Sequence, residues 1–313
     1  MEDVSFSYRV KKEIIDKINS KPKADVCIMG MLTYCNVLSD EEISFLTENR
    51  AVVDFFHLNI GRISENKEAV RVTEQKKRNG VVLYALDIPE RDDRIAVLDH
   101  FRMDASRRLE KEDLPKEKFY PQLVAGIFLA CGSVNNPEKK YHMEFVMPTL
   151  DLCNDFGMLL IDNYDITPKH VERKNAQIVY IKESENIIDM LTLMGASMCS
   201  LELMNVKMMK DMRNKINRAV NCDNANIEKS LKAAEKQIRD IELIDETIGL
   251  YSLPENLQEI AELRYNNPDF NLKDLGAAID PPISRSGANH RLQKLAEIAD
   301  KIREEKGLNI NEE

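Results

Sequence analysis

No apolar run in this 313-residue sequence reaches the roughly 18 residues that a bilayer-spanning helix requires. The opening residues Met1–Ile18 alternate charge with apolar positions at helical spacing and contain no apolar signal core, so a cytoplasmic location is expected. The six cysteines (Cys27, Cys35, Cys131, Cys153, Cys199 and Cys222) include no CxxC pair. In a reducing compartment they read as free and mostly buried thiols, which excludes a disulfide scaffold or a zinc framework. The five histidines also lack metal-ligand spacing, and no cofactor is expected. A net positive charge is missing too: the formal charge of −10 argues against a protein coated in nucleic acid. What remains is an ordinary globular composition, 43% hydrophobic and 31% charged, long enough for two domains with separate cores.

Total charge hides its distribution, and distribution decides what a surface binds. Lys207, Lys210, Arg213, Lys215 and Arg218 face a single acid, Asp211, between Val206 and Cys222. From Pro281 to Gln293 there are two arginines, one histidine and no acid. Both basic stretches fall in the last third of the chain. The acidic excess elsewhere would limit indiscriminate adhesion to a polyanion.

The first two-thirds reads as a duplication. An apolar, small-residue helix around Ile28–Asn36 is followed by a strand at Glu42–Thr47, a helix at Ala51–Ile60, strands at Ala69–Thr73 and Val81–Leu86, and a helix near Asp93–Phe101. The same order recurs as a helix at Val124–Gly132, a strand at His142–Met147, a helix at Leu150–Ile161, strands near His170–Arg173 and Gln177–Lys182, and a helix at Asn186–Gly195. Glycine inside a helix costs up to about 1 kcal/mol relative to alanine and needs a reason. Gly30 and Gly126 would let the two opening helices meet backbone to backbone, the strands of both copies then forming a saddle-shaped sheet.

Between Val206 and Glu246 no glycine or proline interrupts the chain, which predicts one or two helices with a natural break at Asn221-Cys222-Asp223-Asn224. Three short helices follow at Glu255–Tyr265, Leu272–Ile279 and Ser286–Ile302, with a polar tail at Lys306–Glu313. Leu272, Leu275 and Ile279 make an apolar face, and small Gly276 and Ala277 leave room for a neighbouring helix. Asp280-Pro281-Pro282 stops the helix, since proline bars the helical conformation before it. Ser284 or Ser286 can cap the next helix, whose Ala288, Leu292, Leu295 and Ala299 recur on one face. Arg285, Ser286, Asn289, His290 and Gln293 are left outward near its N-terminal end, with Arg291 and Lys294 at the margin. That is the end of a recognition helix, lying within residues 271–304, that meets base edges, and arginine and asparagine are its readers of guanine and adenine. The marginal residues and the five cations between residues 206 and 222 suit phosphate contacts.

Several stretches together resemble the WhiA family of bacterial sporulation and division regulators. They are Ser5-Phe6-Ser7-Tyr8-Arg9-Val10-Lys11-Lys12-Glu13; Leu123-Val124-Ala125-Gly126-Ile127-Phe128-Leu129-Ala130-Cys131-Gly132-Ser133-Val134; Met212-Arg213-Asn214-Lys215-Ile216-Asn217-Arg218-Ala219-Val220-Asn221-Cys222; Ile244–Leu250; and Leu275-Gly276 with Pro281–Leu292. The resemblance is densest from residue 119 to 303 and weakest in the first repeat. It implies an α+β chain: a degenerate LAGLIDADG homing-endonuclease-like domain over residues 1–200 (repeats 1–105 and 119–200), a helical tether over 201–253, and an all-α helix-turn-helix domain over 254–306.

In such nucleases the ends of the paired helices each deliver a carboxylate to divalent metal, because a hard cation needs oxygen ligands. The resemblance places Cys35 and Cys131 at those two positions. A neutral thiol is a poor magnesium ligand, and Asn36 and Ser133 cannot replace two charges, so no catalytic residue and no enzyme activity are expected. The thiols themselves read as small side chains filling a tight helix crossing, with a redox pair or a soft-metal site as the alternative. The family implies double-stranded DNA as partner, no membrane, no small-molecule substrate and a nucleoid-associated location. The N-terminal domain would meet either more DNA or a partner protein, a co-regulator or the transcription machinery. The rival reading is a protein-interaction scaffold in which DNA contact is secondary.

Overall fold

The computed structural model describes residues 4–77, 80–103, 114–174 and 176–307. Most of the expected polar tail (308–313) lies outside them. Two compact units divide the chain, Met1–Asp211 and Met212–Glu313.

The first unit is mixed helix and sheet and is duplicated, as its sequence suggests. Helix α1 (Phe6–Lys17) precedes the first repeat, which runs α2 (Lys21–Thr33), β1 (Val37–Leu38), β2 (Ile43–Thr47), α3 (Arg50–Ile63), β3 (Arg71–Lys76), β4 (Val82–Asp87) and α4 (Arg91–Phe101). The second runs α5 (Tyr120–Cys131), β5 (Gly132–Val134), β6 (Met143–Met147), α6 (Leu150–Tyr164), β7 (Lys169–Arg173), β8 (Ala176–Ile181) and α7 (Ser184–Leu193). Each repeat thus carries a short strand after its opening helix that the sequence pattern does not announce.

The strands of the two copies do not join in a single sheet. Among the described residues they make two four-stranded antiparallel sheets of equivalent order, β1-β2-β4-β3 and β5-β6-β8-β7. The alternation of Ile43, Phe45 and Thr47 inward is repeated by Met143, Phe145 and Met147. Each central phenylalanine meets a phenylalanine of the following helix, Phe45 with Phe56 at 5.6 Å and Phe145 with Phe156 at 4.7 Å between ring centroids. Those helices are capped alike. Asn49 accepts from the Ala51 N–H at 3.0 Å, and Thr149 from the Leu152 N–H at 3.3 Å, each satisfying a donor that the first turn leaves open.

The two repeats meet where α2 and α5 pack together. A Cβ built on Gly126 would stand 2.0 Å from the Cys27 carbonyl oxygen, and one on Gly30 would stand 2.5 Å from that of Leu123. Side chains are excluded at both places by backbone. Nearly every residue around the crossing is buried, so the seam forms the middle of the first unit's core.

Helix α8 (Ser197–Thr247) is unbroken through Asn221–Asn224. The expected break fails because Asn and Asp in a helix interior cost only a few tenths of a kcal/mol each, while the flanking Lys, Arg, Glu, Leu and Ala favour propagation. Its start is fixed by Glu13, whose carboxylate oxygens accept from the N–H groups of Met198 at 2.6 Å and Cys199 at 3.0 Å.

The second unit closes around α9 (Glu255–Asn266), α10 (Leu272–Ala278), α11 (Arg285–Lys306) and the end of α8. Ile241 and Ile244 of α8 enter the same core as Leu257, Ile260, Leu275, Leu292, Leu295 and Ile302. The buried carboxylate of Asp240 holds Arg303, which also bonds Asp300 at 2.7 Å. The last turns of α8 are therefore part of the helical core.

Two glycine substitutions in helices should act in opposite directions. Gly126→Ala forces a methyl into a carbonyl and should destabilise the chain by at least about 3 kcal/mol, the upper end of overpacking costs. Gly157→Ala, in α6 with no atom nearer than 3.9 Å to the new Cβ, should stabilise it by up to about 1 kcal/mol through helix propensity. Denaturant melts of the two variants check the pair; equal effects would mean that the crossing is looser than described.

Candidate functional site

The second unit presents its polar face through one turn. Asn271 caps α10 by accepting from the N–H groups of Lys273 and Asp274 at 2.9 and 3.1 Å. The chain leaves α10 and doubles back so closely that the Ile283 N–H donates to the Gly276 carbonyl at 2.9 Å. A Cβ on Gly276 would sit 2.5 Å from the Ile283 oxygen, so the small residue serves the turn itself. Ala277, also expected at a close helix contact, is exposed. Of the two possible caps for α11, Ser284 takes the role: its hydroxyl accepts from the Gly287 N–H at 3.2 Å and shares a hydrogen bond with Ser286 at 2.9 Å.

Burial along α11 follows the expected period. Ala288, Leu292, Leu295 and Ala299 are buried. Arg285, Ser286, His290, Gln293 and Lys294 are exposed, and Asn289 is half-buried. Arg291 differs from its neighbours. Its guanidinium donates to the Asn256 carbonyl at 3.2 Å and pairs with Glu259 at 3.4 Å, so it ties α11 to α9. A second arginine of this kind gives no signal in the sequence. Arg264 is buried and donates to the carbonyls of Pro268 at 3.2 Å and Phe270 at 2.7 Å, and burial lowers its pKa. It holds the α9–α10 connection, and through it the start of α10.

The basic run on α8 splits in two. Lys207 pairs with Glu185, while Lys210 donates to the Pro137 carbonyl at 2.7 Å and lies 4.8 Å from the Tyr141 ring centroid. These two cations are occupied within the first unit. Arg213, Lys215 and Arg218 are exposed in the second.

At the other candidate site, α2 and α5 end beside one cleft of about 980 Å³ whose lining includes Lys11, Tyr34, Cys35, Asn36, Cys131 and Ser133. Cys35 lies just beyond α2, and Cys131 is the last residue of α5. The Cys35 thiol donates to the Val37 carbonyl at 3.0 Å and that of Cys131 to the Ile127 carbonyl at 3.3 Å. Burial pushes the Cys131 thiol up to about 12, with Lys11 drawing it part of the way back. Lys11 is held down to about 8 by desolvation, against the opposing pull of Cys131 and Glu48. Among the described residues no group of three or more His, Cys, Asp or Glu is arranged to hold a metal ion. Neither is any described helix long and apolar enough to cross a membrane.

Both units have counterparts among known proteins. Residues 121–213 match the WhiA LAGLIDADG-like domain, and residues 216–299 match the WhiA C-terminal HTH domain. A probable cell division protein WhiA of Clostridium perfringens strain SM101 is 37% identical over 319 residues, covering 96% of this chain and 99% of the relative. This chain belongs to the WhiA family. The probable cell division protein WhiA of Clostridium acetobutylicum is 38% identical over 323 residues, with the same coverage of 96% and 99%. The crystal structure of full-length DUF199/WhiA from Thermatoga maritima aligns with 95% of this chain and 99% of that one at a TM-score of 0.55 and 21% identity, which shows a shared fold. A helix-turn-helix joined to a LAGLIDADG-like domain is the build of a DNA-binding regulator, and the family match places that module in the second unit.

The thiols supply a direct check on the cleft. The thiolate is the nucleophile in maleimide addition, so buried cysteines of raised pKa react slowly. Cys27, Cys35, Cys153 and Cys199 are buried, Cys131 is held near 12, and Cys222 is exposed. Native protein at pH 7 should therefore take one maleimide, on Cys222, and all six only after denaturation. Rapid native labelling of Cys35 or Cys131, read by peptide mass mapping, would mean an open seam.

Proposed function

We propose that this chain is a sequence-specific DNA-binding transcription regulator that acts in cell division and chromosome segregation, and in sporulation where its host sporulates. In this reading it has no nuclease activity, resides in the cytoplasm at the nucleoid, and reads double-stranded DNA with the first turns of α11. The observation that carries the proposal is the division of that helix. Its apolar residues are locked into the core by a serine cap and a glycine-dependent turn, while Arg285, Ser286, His290 and Gln293 stand exposed with Asn289 beside them. Rigid support beneath exposed hydrogen-bonding side chains is what base readout requires. The names of the relatives, probable cell division proteins, support the physiological half of the reading.

Arg213, Lys215 and Arg218 are the proposed phosphate contacts on α8, with Lys294 on α11. Contacts by Lys207 and Lys210 would first have to break their bonds to Glu185 and Pro137, and by Arg291 its bonds to α9. The first unit is left to engage a protein partner such as a co-regulator or the transcription machinery.

Base readers and phosphate binders fail differently when removed. Asn289→Ala or Arg285→Ala should cost about 1–3 kcal/mol on a cognate site and little on random DNA. Arg213→Ala should weaken both alike and lower the salt slope by about one, since one fewer phosphate is neutralised. Leu292→Ala should unfold the second unit and abolish both modes. Quantitative binding to a site selected from random duplexes makes the measurement. Unchanged cognate affinity in folded Asn289 and Arg285 variants would remove α11 as the reader.

Absence of cleavage is tested separately. Supercoiled plasmid should survive incubation with the purified protein in magnesium or manganese. Reproducible nicking that a chelator stops would locate catalytic acids away from the seam.

A further inference from the structure

The carboxyl ends of α2 and α5 share the seam cleft, and helix ends of this kind carry a predictable charge. Each presents carbonyl oxygens that no intrahelical N–H reaches, equivalent to a partial negative charge. Two such ends together favour a cation.

We propose that this end of the seam is a cation-binding site and that the chain's own Lys11 ammonium is its tethered occupant. The Lys11 Nζ donates to the Leu129 carbonyl at 3.1 Å, one of the last four carbonyls of α5. It also stands 5.7 Å from the centroid of the Phe128 ring, within reach of its negative face. Glu48, the carboxylate that lines the cleft, is engaged by Lys77 at 2.6 Å. Apart from Glu48, already paired with Lys77, the ammonium's neighbours are an orphan carbonyl, an aromatic face and the Cys131 thiol, a set that accepts a small hydrogen-bonding monocation and offers a hard divalent ion little. Desolvation lowers the Lys11 pKa only to about 8, so the group is still charged at neutral pH.

Delivery of the lysine is equally specific. Phe6, Val10 and Ile14 bury one face of α1 in the core. The Ser7 hydroxyl accepts from the Val134 N–H at 3.3 Å, clamping α1 to the strand that follows α5. Arg9 pairs with Glu202, and Glu13 caps α8. A buried apolar face and three polar anchors on one short helix hold Lys11 at a fixed depth, and its side chain needs only to cross from α1 to the end of α5.

Chemical rescue in the full-length chain tests the assignment. Lys11→Ala should lower the melting temperature at pH 7, and methylammonium chloride should restore part of the loss. Sodium chloride or tetramethylammonium chloride at the same concentration should not, since neither donates an N–H bond. Lys11→Met, which keeps the stem but not the charge, should stay low in all three salts. A Lys11→Ala variant that melts like the parent, or responds equally to all three salts, overturns the proposal.

A second arm does not depend on that variant's stability. Cys35→Asp/Cys131→Asp should bind terbium poorly while Lys11 occupies the site. Adding Lys11→Met should tighten binding at least about tenfold, because a like charge at contact distance is removed. The readout is luminescence sensitised by Tyr34 or Tyr8, which line the cleft. Equal terbium affinity with and without Lys11 would show that the ammonium is not the occupant.

Discussion

Two glycines without side chains set the terms for the first unit. Where α2 crosses α5, carbonyl oxygens come so near the facing Cα atoms that a single methyl has no room. From that contact follows the placement of both helix ends beside one cleft, and with it the need for something positive among the exposed carbonyls. The sheets take their positions from the same crossing, since the first strand of each repeat begins within a few residues of the helix end. Helix α1 packs against α3 and α5, and Lys11 comes with it.

The second unit rests on the same economy at smaller scale. Gly276 lets the chain reverse within hydrogen-bonding distance of itself, which sets the angle at which α11 leaves. Arg264 and Arg291 look like candidates for DNA contact by residue type. Both also serve as internal ties, one to the α9–α10 connection and the other from α11 to α9. Among the described residues, the side chains of Arg285, Asn289, His290 and Gln293 take no such duty, while Ser284 caps α11 and bonds Ser286.

What was legible in the sequence was whatever repeats or has a period. The duplicated order of elements, the glycines at the crossing and the apolar face of α11 all write themselves over many residues, and the structure has them where the pattern puts them. Strands β1 and β5 were invisible because two or three residues cannot show an alternation of period two. The Asn221–Asn224 break was misread because capping residues matter only where a helix has another reason to end. Pairings distant in sequence, Lys207 with Glu185 or Asp240 with Arg303, leave no local trace, so the basic run on α8 reads as one surface when two of its five cations are already engaged. Lys11 is the clearest case: on α1 it resembles any solvated lysine, and only the tertiary fold brings it to the end of a different helix.

The glycine crossing also constrains how the two repeats can diverge. Damage in a core packed by side chains can be offset by shrinking a neighbour. At residues 30 and 126 the nearest neighbour is the main chain of the other repeat, and no substitution shortens a carbonyl. A genetic screen for second-site suppressors of Gly126→Ala should thus return mostly true revertants, whereas a screen on Phe145→Leu should return compensating changes. At that crossing each repeat is the other's mould, and neither can change there alone.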